Sequence, residues 1–99
     1  MNTQMKVNKI QDIVSESLNE NGMCVGLGNL TKEDTDYIIQ MGTDILCTKW
    51  GIGITGGNFV MAIVNNDLMG ATESADYINI KALKFYCQLV QHAIQPEFN

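Results

Sequence analysis

Arginine is absent from this chain, and all six basic residues are lysine: Lys6, Lys9, Lys32, Lys49, Lys81 and Lys84. Without the planar guanidinium fork there is no bidentate grip on phosphates or guanine edges, and a net charge of −5 repels a long polyanion. Duplex DNA is therefore excluded as an expected partner. A small anion is not, because backbone N–H groups and one or two lysines can create local positive potential within an acidic protein. Only one proline and one histidine occur, and no apolar run approaches the roughly 18 residues of a membrane span. The N-terminal residues lack a signal-peptide core. These features predict a compactly folded chain with no membrane association.

Cysteine is scarce and odd in number. Cys24, Cys47 and Cys87 are widely spaced, with no Cys-x-x-Cys pair and no Cys/His cluster, so reduced buried thiols are expected rather than disulfides or a metal site. His92 stands alone near the C-terminus, where a histidine more commonly meets helix carbonyls than acts as a base. Neither a catalytic set nor a cofactor site can be assembled from these residues. A binding protein rather than an enzyme is the expectation.

Ninety-nine residues fit one domain, and the apolar pattern is helical along most of its length. Ile10, Ile13, Val14 and Leu18 share one face of a first helix that ends at Asn21-Gly22. Met23 to Leu30 reads as either a short strand or an irregular packed loop. Thr31 is placed as the N-cap of a second helix, with Glu33, Asp34 and Asp36 in its positive first turn and Tyr37, Ile38, Met41 and Ile45 along one stripe reaching towards Thr48. Gly42 is expected to weaken or bend it. Phe59 to Val64 form a short apolar helix stopped by Asn65-Asn66, and Asp67 caps a further turn or two through Ala75. Ala75 to Ile94 reads as one long helix, with Ala82, Leu83, Tyr86, Leu89, Val90 and Ala93 on its main face and Ile78, Phe85 and Cys87 away from it. Those outlying apolar residues suggest a subunit contact. The expected fold is mainly α: a bundle of four to five helices with at most one short strand at Met23 to Leu27, assembled as a homo-oligomer.

Four of the nine glycines crowd into Gly51, Gly53, Gly56 and Gly57, just before the apolar helix. Gly51-Ile-Gly-Ile-Thr-Gly56 spells the G-x-G-x-x-G of dinucleotide-binding folds, but Asn-Asn-Asp-Leu follows the helix where a parallel strand bearing an acid is required. A structural turn is the plain reading. The alternative is a nest of N–H groups feeding a helix N-terminus, which attracts phosphate. Trp50, Phe59, Tyr77 and Tyr86 surround the segment; aromatics at helical spacing usually belong to a core, whereas Trp50 and Tyr77, beside glycine and aspartate, are better placed to stack on a planar ligand. Asn58, Asn66, Asp67, Asp76 and Asn79 supply groups that read nucleobase edges, with helix capping as the competing role.

Gly57-Asn58-Phe59, Ala62, Asn66-Asp67-Leu68, Ala71, and Ala75-Asp76 with Asn79 together resemble a widespread family of short tailed-phage proteins. In that family a Gly-small-Phe turn opens a helix, and Asn-Asp-Leu and Ala-Asp follow at similar spacing. The similarity covers the C-terminal half; Asn58 stands where serine or another small residue is usual, and residues through Thr48 show no correspondence. The family includes an anti-CBASS branch, oligomeric sponge proteins that sequester cyclic dinucleotide immune signals without cleaving them. The resemblance thus implies a homotetramer in the cytoplasm of an infected bacterial host, with Gly56, Gly57 and Asn58 N–H groups on phosphate beside Phe59. Lys49 would be the supporting cation, Trp50 or Tyr77 would stack on a base, and Asp76 and Asn79 would read its edge. The competing expectation is an acidic inhibitor that mimics nucleic acid and occupies a basic host protein.

Overall fold

The computed structural model describes residues 1–53 and 55–98; Ile54 of the glycine segment and Asn99 lie outside the described residues. Six α-helices are present and no strand occurs among the described residues: α1 (Thr3–Asn21), α2 (Lys32–Trp50), α3 (Asn58–Val64), α4 (Leu68–Ser74), α5 (Tyr77–Lys81) and α6 (Leu83–His92). No helix is long and apolar enough to cross a membrane among the described residues. The two 19-residue helices α1 and α2 pack on each other and against α6, while α3 closes the core from the far side of α2.

Local chemistry accounts for most boundaries. Asn2 caps α1, its Oδ1 accepting the Met5 N–H at 2.8 Å, so this helix begins about two turns before its first buried residue, Ile10. The Thr31 hydroxyl accepts the Asp34 N–H at 3.0 Å, as the sequence predicts. At the other end of α2, Gly51 adopts φ 69°; its N–H bonds to the Thr48 carbonyl and the Ile52 N–H to the Cys47 carbonyl at 2.8 Å. This paired closure needs a left-handed residue, which explains the first glycine of the G-x-G-x-x-G string without a ligand. A helix, not a strand, precedes that string. Asn66 repeats the device after α3 with φ 58°, and Asp67 immediately caps α4 through the Gly70 N–H at 3.0 Å.

Three expectations are corrected. Met23 to Leu27 is no strand: Met23–Val25 form a 3-10 turn, Gly26 takes φ 83°, and the Leu27 N–H returns to the Gly22 carbonyl at 2.7 Å. The single helix expected over Ala75 to Ile94 is two helices, interrupted at Ala82 with φ −91° and ψ 5° and started at Tyr77 by the Asp76 cap. Phe85 is fully buried rather than turned to a neighbour, because α6 packs against α1, α2 and α3 and its covered face is wide enough to take Phe85 beside Tyr86 and Leu89.

α2 runs unbroken through Gly42, whose role is to admit neighbours. A Cβ there would stand 2.7 Å from Val14 Cγ1 and 2.9 Å from Leu89 Cδ1, so the missing side chain is what lets α1 and α6 settle on α2. Ile10, Val14, Ile38, Ile45, Leu46, Phe85 and Tyr86 fill the space between these helices. Beyond α6 the chain returns along α1, with Lys9 Nζ donating to the Glu97 carbonyl at 3.2 Å and Lys6 lying 5.5 Å from the centre of the Phe98 ring.

Candidate functional site

Two separate groups of residues carry the features expected of a site. The first is the junction between α2 and α3. Gly56 is held to α2, its N–H donating to Thr48 Oγ1 at 3.0 Å, and a Cβ at Gly56 would lie 2.6 Å from Val60 Cγ1. Its small size therefore serves packing. Gly57 differs on every count: it is exposed, its backbone is extended (φ −75°, ψ −165°), and an added Cβ would meet nothing within 4 Å. It occupies the N-cap of α3, where no side chain supplies the usual capping bond. Asn58 follows, also exposed. Phe59 points the other way, into the core, edge-on to Tyr86 with ring centres 5.7 Å apart. Only its backbone belongs to this junction.

Lys49 and Trp50 end α2 close by in sequence. Lys49 Nζ donates to the Val90 carbonyl in the last turn of α6, which places the cation on that helix's negative end. Trp50 is half-buried and packs against the core. His92, the last residue of α6, is exposed.

The second group is a polar network where α5 meets α2. Asp76 Oδ1 accepts the Asn79 N–H at 2.8 Å, and its Oδ2 accepts the Tyr37 hydroxyl. The Asn79 amide donates to the Tyr37 oxygen at 3.3 Å, while its carbonyl oxygen accepts the Tyr86 hydroxyl at 2.8 Å. Asn79 is 3% exposed and Tyr86 fully enclosed, so these bonds satisfy groups that would otherwise be stranded. Burial pushes the Tyr86 hydroxyl well above the ordinary tyrosine range, with the negative charge of Asp76 and the neighbouring Tyr37 adding to it. Tyr37 is likewise raised, first by donating to Asp76 and then by desolvation. All four groups are committed to one another. Sequence reasoning singled out Asp76 and Asn79 and missed Tyr37, since a partner 39 positions away leaves no trace in local spacing.

The two groups do not converge within one chain. Thr48 marks the glycine junction and Tyr37 the network on the same helix, and eleven residues of α-helix span about 16 Å. Tyr77 is 81% exposed and presents its ring to solvent beside the network. Of the predicted ligand set, Gly57, Asn58 and Tyr77 stand open, whereas Phe59 and Asn79 are buried, Gly56 and Asp76 are bonded internally, Lys49 is held at α6 and Trp50 is half covered.

The thiols divide as well. Cys47 is buried, and desolvation followed by the nearby Asp44 charge raises it above the ordinary range. Cys24 and Cys87 are exposed, which corrects the expectation that all three are buried. No group of three or more histidine, cysteine, aspartate or glutamate side chains gathers as a metal site among the described residues. In comparisons with protein-family models, curated proteins and solved structures, nothing matches this chain.

Proposed function

We propose that this protein is a phage immune-evasion factor that binds and sequesters a cyclic dinucleotide without cleaving it, acting as a homo-oligomer in the bacterial cytoplasm. Gly57 carries the reading. Neither its backbone conformation nor its packing requires glycine, yet it stands at the uncapped start of α3, where a ligand phosphate can approach the backbone N–H groups of residues 57–59. Tyr77 supplies the stacking surface, and the Tyr37–Asp76–Asn79–Tyr86 network holds α5 beneath it. Asp76 and Asn79 thus support the ring instead of reading a base edge, a role that would require them to abandon the partners they hold in the network. Because the glycine junction and Tyr77 lie apart on one chain, this reading assigns each ligand to two subunits.

The test is a thermal-shift series with micromolar cyclic dinucleotides, cyclic GMP–AMP among them, repeated on Gly57→Val. A bound ligand in hundredfold excess over Kd raises stability by about 2.7 kcal/mol. The wild-type midpoint should rise and the variant's should not, while both show the same circular dichroism. Nucleotide recovered after denaturation should be intact; linear product in proportion to protein would make this an enzyme.

A second reading, an acidic inhibitor of a basic host protein, is favoured by one surface. Gln11, Asp12, Ser15, Asp36, Ile39 and Gln40 line an open cleft of about 410 Å³ between α1 and α2. Retention of a basic host protein by wild type, but not by Asp12→Lys, would select this reading over the first.

A further inference from the structure

Ile13, Ser17 and Asn21 recur at every fourth position of α1, and Gln88 and His92 stand four apart on α6, so each helix presents one row of side chains to the gap between them. Together with Leu89 they line a cleft of about 360 Å³. Val14 and Leu89 both close on α2 at Gly42, and Lys49 fastens the Val90 carbonyl to the end of that same helix, so α1 and α6 are each seated on α2 more closely than on one another. The cleft is thereby held open by contacts outside it.

Its lining defines what it can take. Ser17 and Gln88 are half-buried in the walls, Asn21 and His92 are exposed at the mouth, and Ile13 and Leu89 supply an apolar floor. Among the described residues the four polar side chains make no hydrogen bond within the chain, unlike the mutually committed groups around Asn79. A hydroxyl, two carboxamides and a neutral imidazole each offer both a donor and an acceptor. No lysine, aspartate or glutamate lines the cleft among the described residues, so a charged ligand would lose hydration there without gaining a counter-charge. No aromatic ring lines it either, which leaves a flat heterocycle without a stacking partner. The chemistry that fits is an uncharged ring bearing hydroxyls, groups that also donate and accept, with a C–H face to lie on the apolar floor.

We propose that the cleft between α1 and α6 binds a neutral sugar, its hydroxyls on Ser17, Asn21, Gln88 and His92 and its C–H face on Ile13 and Leu89. The volume falls at the lower end of small-ligand pockets, roughly 300–1,000 Å³, which suits a hexose. Hydrogen bonds exchanged with water yield little net affinity, so binding in the millimolar range is expected. The site shares no residue with the glycine junction or the α5 network and stands independently of the cyclic dinucleotide reading.

An amide-resolved NMR titration of isotope-labelled protein with glucose, galactose, mannose and N-acetylglucosamine provides the test. At least one of these should produce saturable shifts centred on Ser17, Gln88 and Leu89, with Gly57 and Tyr77 unmoved. Ser17→Leu fills the cleft from α1, and Gln88→Leu strips the polar wall of α6. Each alters a half-buried side chain, should keep the wild-type circular dichroism, and should weaken binding at least tenfold. Glucuronate, which adds a charge to the same ring, and adenosine, which is neutral but flat, should both bind more weakly than the best of the four sugars. Absence of saturable shifts with all four overturns the proposal, as does preference for glucuronate or adenosine. Shifts that persist undiminished in both variants overturn it equally, because the sugar would then sit elsewhere.

Discussion

The α1–α2–α6 side of the molecule and its α3–α5 corner are held together by different means. On the first side, long helices interlock through Ile10, Val14, Ile38, Ile45, Leu46 and Phe85, with Gly42 allowing their close approach. On the second, three helices of seven, seven and five residues are too short to persist alone, and nucleation theory gives them no stability in isolation. Asparagine and aspartate caps define their ends, and a polar network clasps α5 to α2. Apolar burial makes one side insensitive to small surface changes. On the other, α3 still buries Phe59, Val60, Ala62 and Ile63, but α4 and α5 depend on single polar atoms and leave large apolar side chains in solvent.

Replacing an apolar residue by glutamate should break that comparison most sharply. Phe85→Glu strands a carboxylate in a fully enclosed site and should cost about 4 kcal/mol or more, enough to prevent folding. Met69→Glu, on α4, should change chain stability by less than about 0.5 kcal/mol in dilute protein. Urea unfolding of both gives the contrast. Near-native stability for Phe85→Glu would mean that α6 can turn this face outwards after all.

Next in size is the clasp. Asn79→Ala leaves the Tyr86 hydroxyl without its acceptor in a closed environment, and should cost about 2–3 kcal/mol despite removing no apolar contact. The same network fixes a pH dependence. Tyr86 is held above the ordinary tyrosine value when folded, so the unfolded chain ionises first as pH rises. The stabilisation is fully present below about pH 10, the ordinary tyrosine value, and declines through the alkaline range. Tyr86→Phe should flatten this decline in unfolding midpoints measured from pH 7 to 11. An equally steep loss in the variant would locate the sensitivity elsewhere.

The same division explains what the sequence made legible. Capping residues announce themselves: Thr31, Asn65-Asn66 and Asp67 marked real boundaries because a cap acts within three or four positions of itself. Periodicity placed Ile38 and Ile45 correctly for the same local reason. The break at Ala82 has no such signal, since alanine is the best helix former and the interruption goes with an arrangement, Asn79 on Tyr86 and Asp76 on Tyr37, set by distant packing. Phe85 was misread for another reason: periodicity gives the spacing of apolar residues, not how many neighbours enclose a helix, and α6 is covered by α1, α2 and α3. At the candidate site the glycine cluster was visible, but composition could not separate Gly51, needed for a left-handed cap, and Gly56, needed for packing, from Gly57.

Gly42→Ala comes third. Alanine gains about 1 kcal/mol in helix propensity, whereas its methyl group would press on Val14 and Leu89 in a filled core, a fault that costs about 1–3 kcal/mol. A net loss of about 1 kcal/mol is expected, visible as a lowered urea midpoint with an unchanged slope. A gain in stability would show that α1 or α6 can retreat without penalty, and the close approach would then be incidental.

The smallest effect should come from Gly57 of the junction, read against its neighbour Gly56, and its sign is the informative part. Gly56→Ala drives a methyl group to within 2.6 Å of Val60, a branched side chain on the first turn of α3 that has little freedom to move, so the turn itself must shift. Gly57→Ala introduces the same methyl group into open space, at a φ of −75° that alanine adopts readily. Removing glycine's extra freedom from the unfolded chain is worth about 0.4–1 kcal/mol, and the preference for glycine over alanine at an N-cap offsets about as much. Thermal denaturation without ligand should therefore give a lower midpoint for Gly56→Ala and a nearly unchanged one for Gly57→Ala. If Gly57→Ala is the more damaging of the two, glycine at that position is structural, and the space above the α3 N-terminus loses its claim to be kept open for a phosphate.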